Sequence, residues 1–303
     1  MKYKITSAEI RNTDFLELSK EEYEKYQHVR KCLLNCLFIE EKFDLLIENY
    51  LEYEQELLDL SVRPMVLANP FTPGWERLGH AERRTITRRI ANLLSLCKLY
   101  IDQTKHHVST IYGQQSEEYT ALDSEQSKQY DNLFGYEAMA ALRNHVQHNG
   151  YPIHAVRHPY KRNENQIMFT LTPVIITKYL EDNKYFKQST LRKLKQLDEK
   201  IDIRPLMREY LEGLGNVHHK LREILDQDLS DWDDTIRTIF TKYKNNFDIQ
   251  KSIAWLDLKS HNENDEVIEE TTISTKVIDR RKSLRKKNTS LSGLTRRYVS
   301  NKT

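Results

Sequence analysis

Six consecutive residues, Arg143-Asn144-His145-Val146-Gln147-His148, place a permanent cation, two amides and two imidazoles within about one and a half turns of an expected helix. Such groups suit chemistry on a phosphodiester. Metal-independent cleavage of RNA needs a base to take the proton of the 2′-hydroxyl and an acid to protonate the leaving oxygen. It also needs positive charge on the transition state. Histidine supplies the first two near neutral pH, and arginine the third.

Advancing 100° per residue from Arg143 places Gln147, Asn144, His148 and His145 at roughly 40°, 100°, 140° and 200°. Leu142, Val146 and Met139 fall at roughly 260°, 300° and 320° on the same wheel. The helix end is therefore expected to divide into a polar and an apolar arc, with every candidate group on the polar one. Arg143 and His148 are the candidate catalytic residues, and Asn144 would orient the substrate or the histidine. His145, Gln147 and His154 are candidate substrate contacts, His154 because it follows closely enough to line the same cleft. One His148 cannot act as base and acid on opposite sides of one phosphorus. Two copies meeting across a two-fold axis would supply both, and His145 within one chain is the alternative.

Arg143, a polar Asn144, and His148 after four intervening residues resemble the Arg-x4–6-His motif of the HEPN superfamily. The resemblance implies a helical bundle and a metal-independent ribonuclease whose two motif helices form one composite cleft in a homodimer. It also implies a toxin or phage-defence setting, including abortive infection, with an antitoxin or defence-system protein as a further partner. In one toxin subgroup a tyrosine stands two positions after the histidine and receives a nucleotide. Here Gly150 holds that position and the tyrosine is Tyr151, which departs from that mode of control.

The motif has to be carried by a helix that stops at Asn149-Gly150, and the surrounding pattern supplies one. Tyr130, Leu133, Phe134, Met139, Leu142 and Val146 recur at helical spacing. Ser19-Lys20-Glu21-Glu22 reads as a capping box opening a long first helix, about 20–59. Breakers from Pro64 to Gly74 read as a loop before a second helix that resumes near His80, and the polar stretch of about 113–126 reads as another loop. Residues Ile153–Arg157 and Ile167–Leu171 around the polar Tyr160–Asn165 suggest a small β-hairpin. Thr172-Pro173 reads as a helix start covering about 173–182, with further helices near 189–200, 204–226 and 231–246.

The expected class is thus mainly α: a HEPN-type bundle over residues 1–185 with a hairpin after the motif helix, then accessory helices over 186–255. A charged fraction of 30% with only 8 glycines and 7 prolines agrees with that class. From Lys276 onward ten Lys/Arg face one acid, a charge of +9, which leaves −7 on residues 1–275 of a chain whose total is +2. Residues 256–303, acidic and then basic, are expected to be a disordered tail, with Arg280–Lys287 as a solvated extension or an RNA-holding arm. No apolar run approaches the ~20 residues of a membrane span, and the start lacks a signal-peptide core, so a cytoplasmic protein is expected. Cys32, Cys36 and Cys97 sit in helical patterns and read as packing residues; neither metal nor cofactor is expected. The pairs His106-His107 and His218-His219 read as surface residues.

Overall fold

Ser19 caps the first helix as the capping-box pattern requires: its Oγ accepts the Glu22 N–H at 3.1 Å, and its own N–H donates to Glu22 Oε2 at 2.9 Å. The computed structural model describes residues 1–7, 14–67, 75–289 and 291–299, with the backbone alone for Leu67 and residues 75–78. In chain order the elements begin with β1 (Lys2–Ser7), β2 (Phe15–Leu18), α1 (Lys20–Leu67), α2 (Trp75–Tyr112), α3 (Glu117–Asn132) and α4 (Phe134–His148). Then come β3 (Ala155–Arg157), β4 (Tyr160–Asn163), β5 (Gln166–Phe169), β6 (Thr172–Ile176), a 3-10 turn (Thr177–Leu180) and α5 (Gln188–Leu197). The rest is β7 (Lys200–Asp202), α6 (Ile203–Asn246), β8 (Trp255–His261), β9 (Val267–Ser274) and α7 (Thr275–Lys287). The described residues are mainly helical, and their sheets are small and antiparallel.

Several expected boundaries are corrected. α1 continues past 59 through Pro64, which forgoes only the hydrogen bond to the Leu60 carbonyl. The expected loop at 113–126 is mostly α3: Gly113, at φ 94°, ends α2, and Ser116 Oγ then accepts the Tyr119 N–H at 3.0 Å as a new cap. The expected breaker segment 68–74 lies outside the described residues. α6 is one helix where two were expected, because Asp228-Leu229-Ser230 contains no breaker and Leu225, Leu229 and Ile236 stay buried through it.

Thr172-Pro173 does not start a helix. It opens β6, whose Val174-Ile175-Ile176 run is β-branched and packs as the middle strand between β3 and β7. Pairing with β7 begins at Val174, one residue beyond the proline. A hairpin does follow α4, but its strands are β4 and β5, with Tyr160 opposite Phe169. The polar stretch read as its turn is therefore its first strand.

Contacts divide the chain into two units that cut across the expected boundaries at 185 and 255. One comprises residues 1–42, 103–121 and 221–289, where β1 is paired by β2 and β8, and β9 lies outside β8. The segment expected to be a disordered tail supplies β8, β9 and α7 to it. α7 is held by its cations: Arg281 is 2% exposed and bonds both Asp233 oxygens at 3.0 and 2.8 Å. Arg280 pairs with Glu41, Lys282 with Asp233, and Arg285 with Asp226. Four of the cations read from the sequence as a basic tail are thus paired with carboxylates of α1 and α6.

The other unit comprises residues 43–102, 122–220 and 290–303. Its core joins Phe43, Leu46 and Tyr53 of α1, Ile90, Leu93 and Leu94 of α2, Met139 and Leu142 of α4, and Met207 and Leu211 of α6. His218, expected at the surface, is buried there, stacked on Phe43 and hydrogen-bonded to the Tyr100 hydroxyl at 2.9 Å. Cys32, Cys36 and Cys97 are free and buried, and burial pushes the Cys32 thiol up to about 11. No described helix is long and apolar enough to cross a membrane.

Candidate functional site

α4 is buried along Tyr136, Ala138, Met139, Ala141 and Leu142, and that buried side continues to His145 at its last turn. The polar arc is consequently narrower than the helical wheel alone predicts. Asn144, Gln147 and His148 are exposed and Arg143 is half-buried, whereas His145 is 2% exposed. Beyond His148 the helix stops as expected: the His145 carbonyl accepts the N–H of Asn149 at 2.8 Å and of Gly150 at 3.2 Å.

Both ring nitrogens of His145 are engaged. Nε2 lies 3.1 Å from the Tyr151 carbonyl oxygen, which can only accept, so Nε2 carries the proton and Nδ1 accepts from the Asn183 side-chain amide. Burial holds this imidazole below its ordinary pKa, partly opposed by the bond to Tyr151. His145 is thereby a neutral anchor for the chain after α4, which corrects its reading as a substrate contact or second catalytic imidazole. Gly150 closes against it: a Cβ there would stand 3.0 Å from Nε2.

His154 is also held by the chain. Its N–H donates to the Val174 carbonyl at 2.8 Å, and its Nδ1 accepts the Ile176 N–H at 3.0 Å. Burial, followed by the neighbouring His145 and Arg83, lowers its pKa to about 4. Its ring lies 6.4 Å from that of His145 and 5.0 Å from that of Tyr179. A neutral His154 could offer Nε2–H to a substrate but could not accept a proton there.

His148 differs from both. Among the described residues no intrachain hydrogen bond occupies either of its ring nitrogens, and its imidazole stacks on Tyr185 at 4.6 Å with 26° between planes. Arg143 lies on the same end of the helix, its Nη1 donating to Asn144 Oδ1 at 3.1 Å. Its Nε is buried without a described partner. Gln147 is exposed on the same last turn. One chain therefore presents one open imidazole, one guanidinium and one side-chain amide at this helix end.

Sequence reasoning missed Asn183, Tyr179 and Tyr185. They lie in and just after the 3-10 turn that replaced an expected helix, so no periodicity marked them. Among the described residues no group of three or more His, Cys, Asp or Glu could hold a metal ion. Comparison with protein-family models, curated proteins and solved structures finds no match to this chain.

Proposed function

We propose that this chain is a metal-independent RNA endonuclease of HEPN type, acting as a homodimer in which two copies of Arg143 and His148 face one phosphodiester. A role as a growth-arresting toxin or phage-defence effector fits such an activity. The observation that carries the reading is the open His148 ring beside the Arg143–Asn144 pair, on a helix end where His145 and His154 are engaged within the chain.

In this mechanism one His148 takes the proton of the 2′-hydroxyl and the 2′-oxygen attacks phosphorus. The bond to the 5′-oxygen breaks as the second His148 returns a proton to it. The products are a 2′,3′-cyclic phosphate and a 5′-hydroxyl. Arg143 neutralises the non-bridging oxygens as charge builds, and Asn144 fixes the guanidinium.

The test is incubation of the purified protein with mixed RNA in the presence of a chelator. Cleavage lost in His148→Ala and in Arg143→Ala supports the reading. Absence of cleavage by the wild type, or equal cleavage by His148→Ala, defeats it. RNA binding without cleavage would mark a non-catalytic HEPN-like scaffold instead.

A further inference from the structure

Two Lys-Tyr pairs follow β6: Lys178-Tyr179 in the 3-10 turn, and Lys184-Tyr185 just after it, whose tyrosine meets the motif histidine His148. Tyr179 is 63% exposed and Tyr185 40% exposed, so both rings are within reach of a ligand. Each is braced by an imidazole, Tyr179 by His154 and Tyr185 by His148. Asn183 fixes the main chain between the pairs, its Oδ1 accepting the Tyr185 N–H at 2.9 Å. The rings are therefore oriented before any ligand arrives, which lowers the ordering cost of binding.

Aromatic faces alternating with cations match single-stranded nucleic acid. Each unstacked base offers a face to an aromatic ring, and each phosphate a charge to a lysine. A duplex hides its base faces in its own stack, and the groove of an RNA helix admits no such platform. Lys178 and Lys184 are exposed, and Lys184 Nζ rides 5.0 Å from the Tyr185 ring centroid on a flexible stem that a phosphate can draw away.

We propose that Tyr179 and Tyr185 form a base-stacking platform for single-stranded RNA, with Lys178 and Lys184 on the flanking phosphates, so that the strand passes His148 unpaired. This rests on the ribonuclease reading for the identity of the ligand, but its test is separate from cleavage.

The probe is a short fluorescent oligoribonucleotide with every 2′-oxygen methylated, which blocks cleavage, offered single-stranded and as a duplex. The wild type should bind the single strand more tightly. Tyr179→Ala and Tyr185→Ala should each weaken that binding by about 5- to 100-fold, and Tyr185→Phe, which keeps the ring, by about twofold or less. A 2-aminopurine base in the same strand should lose fluorescence on binding the wild-type protein, a readout of stacking that needs no variant. Undiminished binding by both alanine variants, equal affinity for duplex, or unquenched 2-aminopurine would overturn the platform. If the platform fails while RNA is still cut, the ribonuclease reading stands; if stacking is seen without cleavage, the platform stands and catalysis falls.

Discussion

Asn183 holds His145 from a segment 38 residues further along the chain, its side-chain amide donating to the buried ring Nδ1 while its own carbonyl oxygen accepts the Tyr185 N–H. One side chain thus sets both the anchor of the motif helix and the residue stacked on His148. Asn183→Ala leaves the buried Nδ1 without a donor and should lower unfolding stability by about 1–3 kcal/mol, read by chemical denaturation. An unchanged midpoint would mean that His145 does not depend on this bond.

The proposed site needs two copies of His148, so activity should depend on association. Specific activity towards RNA should fall on dilution in step with loss of dimer in analytical ultracentrifugation. Activity that stays constant through dissociation would place the whole acid–base pair in one chain.

Acidification should destabilise the fold through His154. Its folded-state pKa, about 4, lies below its ordinary 6.5, so between these values the unfolded chain binds the proton more readily. The stabilisation is complete above about pH 6.5 and is lost as pH falls towards about 4. His107, also lowered to about 4 by burial first and then by His106 and Lys42, acts in the same direction. His154→Asn keeps an acceptor for the Ile176 N–H and should flatten part of the slope in urea unfolding measured from about pH 7 down to about pH 4. An identical slope would remove His154 from this account.

Arg281 and Asp233 are 2% and 5% exposed and pair through two short contacts. Asp233→Ala strands a buried guanidinium and should cost about 3–5 kcal/mol. The double change Arg281→Met with Asp233→Leu removes both charges and should recover most of that loss. A double variant as unstable as the single one would show that packing, not charge, governs this position.

The helical class, the capping box at Ser19 and the stop after His148 were legible because each is a local signal. The motif's exposure was legible only in part. The wheel placed His145 on the polar arc, but α4 buries a wider side than its apolar residues define, and the donor that neutralises this burial comes from Asn183. β6 was misread because a Thr-Pro cap signal and a β-branched run compete over the same five residues, and pairing with β3 and β7 decided between them. The terminal strands were hidden for the same reason. β8 is polar along much of its length, and besides its neighbour β9 it pairs with β1, more than 240 residues earlier in the chain.

α7 also bears on how a charge count should be translated into a surface. Seen by a polyanion approaching from solution, Arg280, Arg281, Lys282 and Arg285 are dipoles rather than bare cations, each already facing a carboxylate. A deletion that removes residues 275–303 to test for an RNA-holding arm would strip counter-ions from Asp233, Asp226 and Glu41, and would report on folding. Charge reversal at an exposed residue such as Lys286 probes the electrostatics and spares the buried clasp.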